Sequence, residues 1–368
     1  MLIVRSPVRI SFGGGGTDLP AYFENYGGAV LSTAINKYFY TIVGKRSDGH
    51  VQIISSDLRV FETWKDISGM SIKDSGSALE IPLAVLKELG CEVSVDLFLA
   101  SEIPPGTGLG SSASVCVNVL QAMSSYLHLP LSKYDLAERA FHIASEVLGK
   151  PVGKQDEFAA AFGGLNFITF HKDGSTNVEP LRLEPAVTTA LQQKLMLFFT
   201  GAAHHSWSIL KEQEASSKKK SGVAVESLHR IRDLAERMRQ ALEDGNLHRF
   251  GQLLHEGWES KKKISNKISN PAIDRMYSIA RKNGAVGGKI TGAGGGGFML
   301  LYCDEDKQPR VREAFAEEGI REMRFAFDFS GSRALVNDPF IDQDENCASQ
   351  WTFVAAPQHA SIPRKSFG

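Results

Sequence analysis

The chain of 368 residues is poor in several signatures that would place it in a functional class at once. Its four cysteines, Cys91, Cys116, Cys303 and Cys347, lie far apart and form no Cys-x-x-Cys pair. That spacing argues against a zinc site or a disulfide framework and fits a reducing compartment. Net charge is nearly absent: 41 basic against 42 acidic residues leave −1, so no global field favours nucleic acid or an anionic membrane surface. No apolar run approaches the roughly 20 residues that cross a bilayer. The opening "MLIVRSPVRISF" interrupts its apolar residues with Arg5 and Arg9, which suits a first strand better than a signal peptide. Internal repeats are missing too. These features lead to the expectation of a cytoplasmic enzyme acting on a small molecule, with nucleic acid and membrane excluded as partners and the oligomeric state open.

What the chain does have is glycine, 35 residues of it, concentrated in three loops beside strands. The stretch "IPPGTGLGSSASV" (103–115) leads from a strand into a helix expected over 111–126. It lacks the lysine of the common nucleotide loop, Gly-x-x-x-x-Gly-Lys-Ser/Thr. Backbone N–H groups at a helix N-terminus bind anions without a cationic side chain, and the helix dipole adds to the effect. Ser111 or Ser112 offers a hydroxyl to a phosphate-bound cation. "RISFGGGGTDLP" (9–20) sets four glycines before Thr17 and Asp18. Ordering them is entropically costly, which makes sense where a ligand must lie against the backbone. "KITGAGGGGFML" (289–300) is the third loop. Between them, "SEVLGKPVGKQDEFAAAFGG" carries Glu146 near the end of a strongly periodic helix and Asp156 at the start of another. Alone, Asp156 reads as an N-cap and Glu146 as a surface charge; beside phosphate loops they become candidates for base and metal ligand.

Local patterns place strands over much of 1–60, helices at 78–90 and from an N-cap at Ser132 to Gly149, and strands at "GGLNFITFH" and "KLMLFFTG". A long polar helical region is expected over about 206–244, its lysine run "SSKKKSG" being a solvated loop. "MRFAFDFSGS" alternates as a final strand. Strand-rich sequence gives way to helix near residue 190, and residues from 337 onward show no period. The chain therefore divides into 1–190, 191–336 and a C-terminal extension, 337–368.

"PPGTGLGSSAS", together with "SPVRISFGGGGTDLP" and "KITGAGGGGFML" in that order, resembles the three motifs of the GHMP kinases. The likeness spans about residues 1–335. Within that superfamily "GKQDEFAAAFGGLNFI" and "FDFSGSR" resemble the bacterial D-glycero-D-manno-heptose 7-phosphate kinases. Galactokinases usually carry Gly-Glu-His where this chain has Gly14-Gly15-Gly16, so galactose is not implied. The resemblance implies an α+β fold of two domains, an ATP-binding N-terminal domain and a ferredoxin-like C-terminal one, with the site between them. It implies ATP and Mg²⁺ as cofactors and a sugar phosphate as substrate, the anomeric hydroxyl of the heptose 7-phosphate being the acceptor; another sugar, such as L-fucose or a hexose, is the alternative. Residue by residue, Pro105, Gly106, Gly108, Leu109, Gly110, Ser111 and Ser112 would wrap the triphosphate. Ser111 and Glu146 would hold Mg²⁺, and Asp156, with Arg9, would form the catalytic pair. Gly14, Gly15, Thr17, Asp18, Gly294 and Gly295 would face the substrate. His204 would stand where these kinases usually carry an arginine.

Overall fold

The computed structural model describes residues 1–65, 67, 72, 78–90, 94–201, 209, 211–212 and 222–338. Strand β1 (Leu2–Gly13) runs antiparallel to the long strand β2 (Gly28–Lys45), from Leu2 opposite Val43 to Gly13 opposite Leu31, with register shifts between Pro7 and Val8 and between Ser11 and Gly13. The two ends of β2 serve different neighbours. Its residues 39–45 pair with β5 (Val95–Ser101), and its residues 28–33 pair with β6 (Leu165–Phe170). β3 (Val51–Ser55) joins β5 in parallel and carries β4 (Val60–Trp64) at the edge, while β7 (Thr176–Pro180) extends β6. A second sheet takes β8 (Leu195–Phe199), β10 (Phe298–Cys303) and β9 (Ala285–Ile290) in that spatial order, antiparallel throughout.

Helices cover these sheets. α1 (Pro20–Tyr26), α2 (Glu80–Glu88), α3 (Ser111–Tyr126), α4 (Lys133–His142) and α5 (Gln155–Phe162) belong to the first unit; a π-helical turn, Ile143–Val147, extends α4. α6 (Pro185–Lys194) leads into the second unit, which adds α7 (Val223–Glu243), α8 (Leu247–Lys262), α9 (Pro271–Lys282) and α10 (Gln308–Glu317). The expected helix at 111–126 is α3 itself. Ser132 does cap α4, in a reciprocal box with Asp135. The expected polar helix starts at Val223, and the lysines at 218–220 lie outside the described residues, as do 339–368.

Two local expectations fail. α1 interrupts the stretch expected to be strands: Pro20 opens it at a position that needs no N–H donor. The segment "MRFAFDFSGS" is not a strand. Phe199 N–H donates to the Arg321 carbonyl and Met323 N–H to that of Leu197, on the second sheet. A few residues later Asn36 N–H reaches Ala326, and Asp328 N–H reaches Ala34, on the first. A chain crossing between two sheets pairs briefly with each and completes a ladder with neither. Its Glu322 bridges Phe198 at the outer edge of β8, where a fourth strand of the second sheet would stand. The chain then returns to the first sheet as β11 (Arg333–Asn337), beside β1.

α3 lies across β1 and β2, and a buried polar pin fixes its rotation. Asn118 Nδ2 donates to Ser6 Oγ (3.1 Å) and to the Phe39 carbonyl (3.2 Å), and Thr41 Oγ1 donates to Asn118 Oδ1 (2.5 Å). A fully satisfied polar cluster in a core specifies one arrangement. Where the two sheets meet, Phe12 at the end of β1 sits edge-on to Phe250 of α8, ring centroids 5.3 Å apart. Both are buried, and truncating either to alanine costs about 3–5 kcal/mol. This contact aligns α8, and with it Lys261, toward the end of β1.

Candidate active site

The loop 103–110 ends in Gly110, which caps α3 with backbone in the left-handed region and no side-chain hydrogen bond. No acidic residue occupies the first turn of α3. Nothing in that turn therefore offsets the positive end of the helix, which faces a cavity of about 500 Å³. That volume suits a small-molecule site. Pro105, Gly106, Gly108, Gly110, Ser111 and Ser112 all line it. Leu109 does not: it is fully buried and anchors the loop in the core, while its carbonyl accepts Arg9 N–H at 3.0 Å.

The third glycine loop presses against the first. A Cβ on Gly292 would lie 2.6 Å from Gly108 Cα, and one on Gly108 would lie 2.5 Å from the Thr291 carbonyl oxygen. Only glycine permits this approach, so the two loops form one wall. Gly292 and Ala293 reach the cavity. Gly294 and Gly295, expected to face the substrate, are outside its lining; Gly295 N–H donates to the Ile268 carbonyl at 2.8 Å, and a Cβ on Gly294 would press on the same residue.

Arg9 and Asp156 meet at the cavity, 147 positions apart in sequence. Arg9 Nε donates to Asp156 Oδ1 at 2.7 Å and Nη2 to Oδ2 at 2.6 Å, while Nη1 donates to the Gly108 carbonyl at 2.6 Å. Such a two-pronged pair fixes the carboxylate's orientation as well as its charge. Arg9 is buried, whereas a quarter of the Asp156 side chain stays accessible, so the carboxylate is presented to the cavity and the guanidinium behind it is not. Asp18 is buried nearby; it accepts Gly16 N–H at 2.7 Å and Gln155 N–H at 3.3 Å. Burial, with the Asp156 charge second, raises its pKa above the ordinary aspartate value.

Two expectations in the second motif are corrected. Thr17 is fully buried, its hydroxyl donating to the carbonyls of Gly14 (2.8 Å) and Ala29 (3.0 Å) and accepting Ala29 N–H (3.1 Å). It holds the loop and does not line the cavity. Gly14 is likewise outside, its Cα so close to Ala29 that a Cβ would lie 1.9 Å from that carbonyl oxygen. Gly15, Gly16, Asp18 and Leu19 of this loop line the cavity, with Arg9 and Ser11 from the strand before it. Glu146 sits on the π-helical turn, exposed and away from the lining, which that turn supplies through Ile143 and Ala144 instead. His204 lies outside the described residues.

The structure adds two residues that the sequence did not single out. Lys261, near the end of α8, is buried at 6 % exposure, lines the cavity and donates to the Gly292 carbonyl. Burial, with Arg9 close by, lowers its pKa to about 8. Glu157, next to Asp156, is 2 % exposed and also lines the cavity, and its Oε2 has no hydrogen-bond partner. Desolvation foremost, then the Asp156 charge, holds it well above the usual carboxylate range. A terminal charge of a helix and an acid beside a conspicuous one carry no sequence signal of their own. Lys289, in the third motif, is buried behind the wall as a strut, its Nζ donating to the Ser11 carbonyl at 2.8 Å.

A helix N-terminus open to anions, a clamped carboxylate and a buried lysine around one cavity form a site for moving a phosphoryl group. Comparison with known proteins gives the same direction. The model of the GHMP kinases N terminal domain matches residues 77–164, and that of the GHMP kinases C terminal domain matches 238–321. A D-glycero-alpha-D-manno-heptose 7-phosphate kinase of Campylobacter jejuni is 32 % identical over 335 residues, 90 % of this chain and 97 % of that protein. This chain belongs to the GHMP kinases. The crystal structure of a D-glycero-D-manno-heptose 1-phosphate kinase from Bacteroides thetaiotaomicron superposes on this kinase with TM-score 0.76 at 28 % identity, covering 91 % of this chain and 98 % of that one. A galactokinase of Pyrococcus furiosus is 27 % identical over 349 residues, 86 % of this chain and 93 % of its own. The kinase is thus an ATP-dependent phosphotransferase of the two-unit GHMP fold, and among the described residues no helix is long and apolar enough to cross a membrane.

Proposed function

We propose that this kinase transfers the terminal phosphoryl group of ATP to the anomeric hydroxyl of D-glycero-D-manno-heptose 7-phosphate, giving the 1,7-bisphosphate used to build nucleotide-activated heptose. The observation that carries the chemistry is the clamped Asp156 in the cavity onto which the N-terminus of α3 opens. The likeness to the Campylobacter kinase supports the choice of sugar. Residues 1–190 would form the nucleotide unit, 191–336 the unit that closes the cavity and carries Lys261, and the cytoplasm, where ATP is supplied, would be the setting.

In this reading the 105–112 loop and the first turn of α3 receive the triphosphate through backbone N–H groups. Ser111 offers its hydroxyl to the accompanying cation. Among the described residues no group of three or more His, Cys, Asp or Glu is placed to cage a metal. That fits Mg²⁺, which takes few protein ligands and keeps its waters and phosphate oxygens. Bound Mg²⁺ would neutralise charge on the phosphates. Asp156, both oxygens held by Arg9, keeps lone pairs free to accept the proton of the attacking hydroxyl. An anomeric hydroxyl is more acidic than an ordinary alcohol, so a carboxylate is a sufficient base. Asp18 would orient sugar hydroxyls, and Lys261 would stabilise the negative charge that accumulates on the acceptor side.

The test is ADP release with Mg-ATP over heptose 7-phosphate, heptose 1-phosphate, mannose 6-phosphate, L-fucose and galactose. Turnover confined to heptose 7-phosphate is the expected result. Preference for the 1-phosphate would move the acceptor to the other end of the sugar, and turnover only with a free sugar would remove the phosphate from the substrate.

A further inference from the structure

The carboxylate expected to hold the cation, Glu146, is exposed on the π-helical turn and outside the cavity. The turn presents the apolar side chains of Ile143 and Ala144 to the cavity in its place. The same cavity is lined by an acid with an oxygen to spare. Glu157 follows Asp156 on α5, about 100° further around the helix, so the two neighbours face different parts of the cavity. Each Asp156 oxygen already accepts one hydrogen bond from Arg9. Glu157 Oε2 is inaccessible to solvent and accepts no hydrogen bond. The nearest thiol does not serve it: Cys116 Sγ is directed to the Ala140 carbonyl, 3.8 Å away. Nor does a cation: Arg9 donates to Asp156 and Gly108, Lys261 to Gly292, and Lys289 to Ser11.

A buried acid lacking a partner is a costly feature unless something completes it. The residues lining the cavity beside Glu157 include Ser111 and Ser112 at the α3 N-terminus, the place where a nucleotide's phosphates and their cation would arrive. A hydroxyl and one carboxylate are a typical protein share for magnesium. We propose that Glu157, and not Glu146, is the carboxylate that takes the nucleotide-borne divalent cation, with the serine hydroxyls of α3 on its other side. The inference rests on the kinase reading above.

The experiment measures Mn²⁺ affinity by electron paramagnetic resonance, with the full-length enzyme saturated by a non-hydrolysable ATP analogue. Glu157→Gln keeps the shape and removes the charge, and should weaken Mn²⁺ binding roughly 10-fold or more while Glu146→Gln stays within about 2-fold of wild type. Analogue binding in the presence of EDTA reports whether each variant still folds around the nucleotide. Glu157→Asp is the second probe: it keeps the charge and should retain measurably tighter Mn²⁺ binding than the Gln variant. Wild-type Mn²⁺ affinity in a Glu157→Gln enzyme that still binds the analogue, or loss in Glu146→Gln, overturns the assignment and leaves the kinase reading standing. Failure of the wild-type enzyme to bind any ATP analogue overturns the kinase reading itself, and this assignment with it.

Discussion

On the wall built from β1, the 103–112 loop and α5, charge is met by charge: Arg9 and Asp156 share two short hydrogen bonds and a third ties the guanidinium to Gly108. Beside it, where α8 and the 289–298 loop close the same cavity, one buried lysine is held by a single carbonyl, that of Gly292. The first arrangement is held at three points. The second carries a cation that burial has already destabilised, with donor capacity left for a ligand. A pre-set base and an adjustable positive charge lining one cavity suit a reaction in which negative charge is delivered to a fixed point.

The comparison breaks most directly at Asp156. Asp156→Asn should lower kcat by roughly 10²–10⁴-fold with little change in the KM for ATP, as steady-state kinetics would reveal. Near-normal turnover would remove the base from that wall. On the α8 side, Lys261→Met should cost roughly 10–100-fold in kcat/KM for the sugar phosphate, in line with loss of one charge-assisted contact; an unchanged value would make Lys261 a structural strut like Lys289.

Lys261 also sharpens the contrast through pH. Its folded pKa of about 8 lies below the ordinary lysine value of 10.5. Between those values the unfolded chain holds a proton that the folded free enzyme has released, so this residue makes stability rise with pH across the window from about 8 to 10.5. Below pH 8 both states are protonated and the contribution is flat. Thermal melts of wild type against Lys261→Met should differ in slope over that window. An anion bound beside the ammonium raises its pKa, so ligand binding at pH 8.5 should take up protons, a fraction of one per site. Calorimetry in buffers of different ionisation enthalpy measures that uptake, and its absence would place the ligand's charge elsewhere.

The smallest expected effect separates scaffold from site within one motif. Thr17→Val leaves the Ala29 N–H and the carbonyls of Gly14 and Ala29 with an apolar neighbour, at a cost of about 1–3 kcal/mol in stability, with KM and kcat little changed. A change in KM for the sugar without a change in melting temperature would return Thr17 to the substrate side.

How far the site was readable follows from the kind of signal each residue carries. The loops at 13–16, 105–112 and 292–297 stand out because glycine clusters have few other uses beside strands, and Asp156 gains weight from its place between them. The same composition did not separate glycines that meet a ligand from glycines that meet another backbone: Gly15 and Gly16 line the cavity, while Gly14 and Gly294 are kept small by Ala29 and Ile268. Periodicity placed α3 and the cap of α4 but missed α1 and α6, which are short and begin at prolines inside strand-like surroundings. It also read a strand into 323–332, where alternation reflects contact with two sheets in turn.

By itself, then, the sequence determined the order of loops and elements and the residue types available for phosphoryl chemistry, because turn geometry, helix capping and strand alternation act between residues close along the chain. Only the tertiary structure decided which carboxylates share the cavity. A step of one residue on a helix turns the side chain by about 100°, and the π-helical turn at Ile143–Val147 shifts that phase again. Glu146 thereby faces solvent and Glu157 the cavity, and Lys261 arrives from the far side of the molecule through the packing of Phe250 on Phe12. Those placements depend on contacts between residues hundreds of positions apart, which no local pattern encodes.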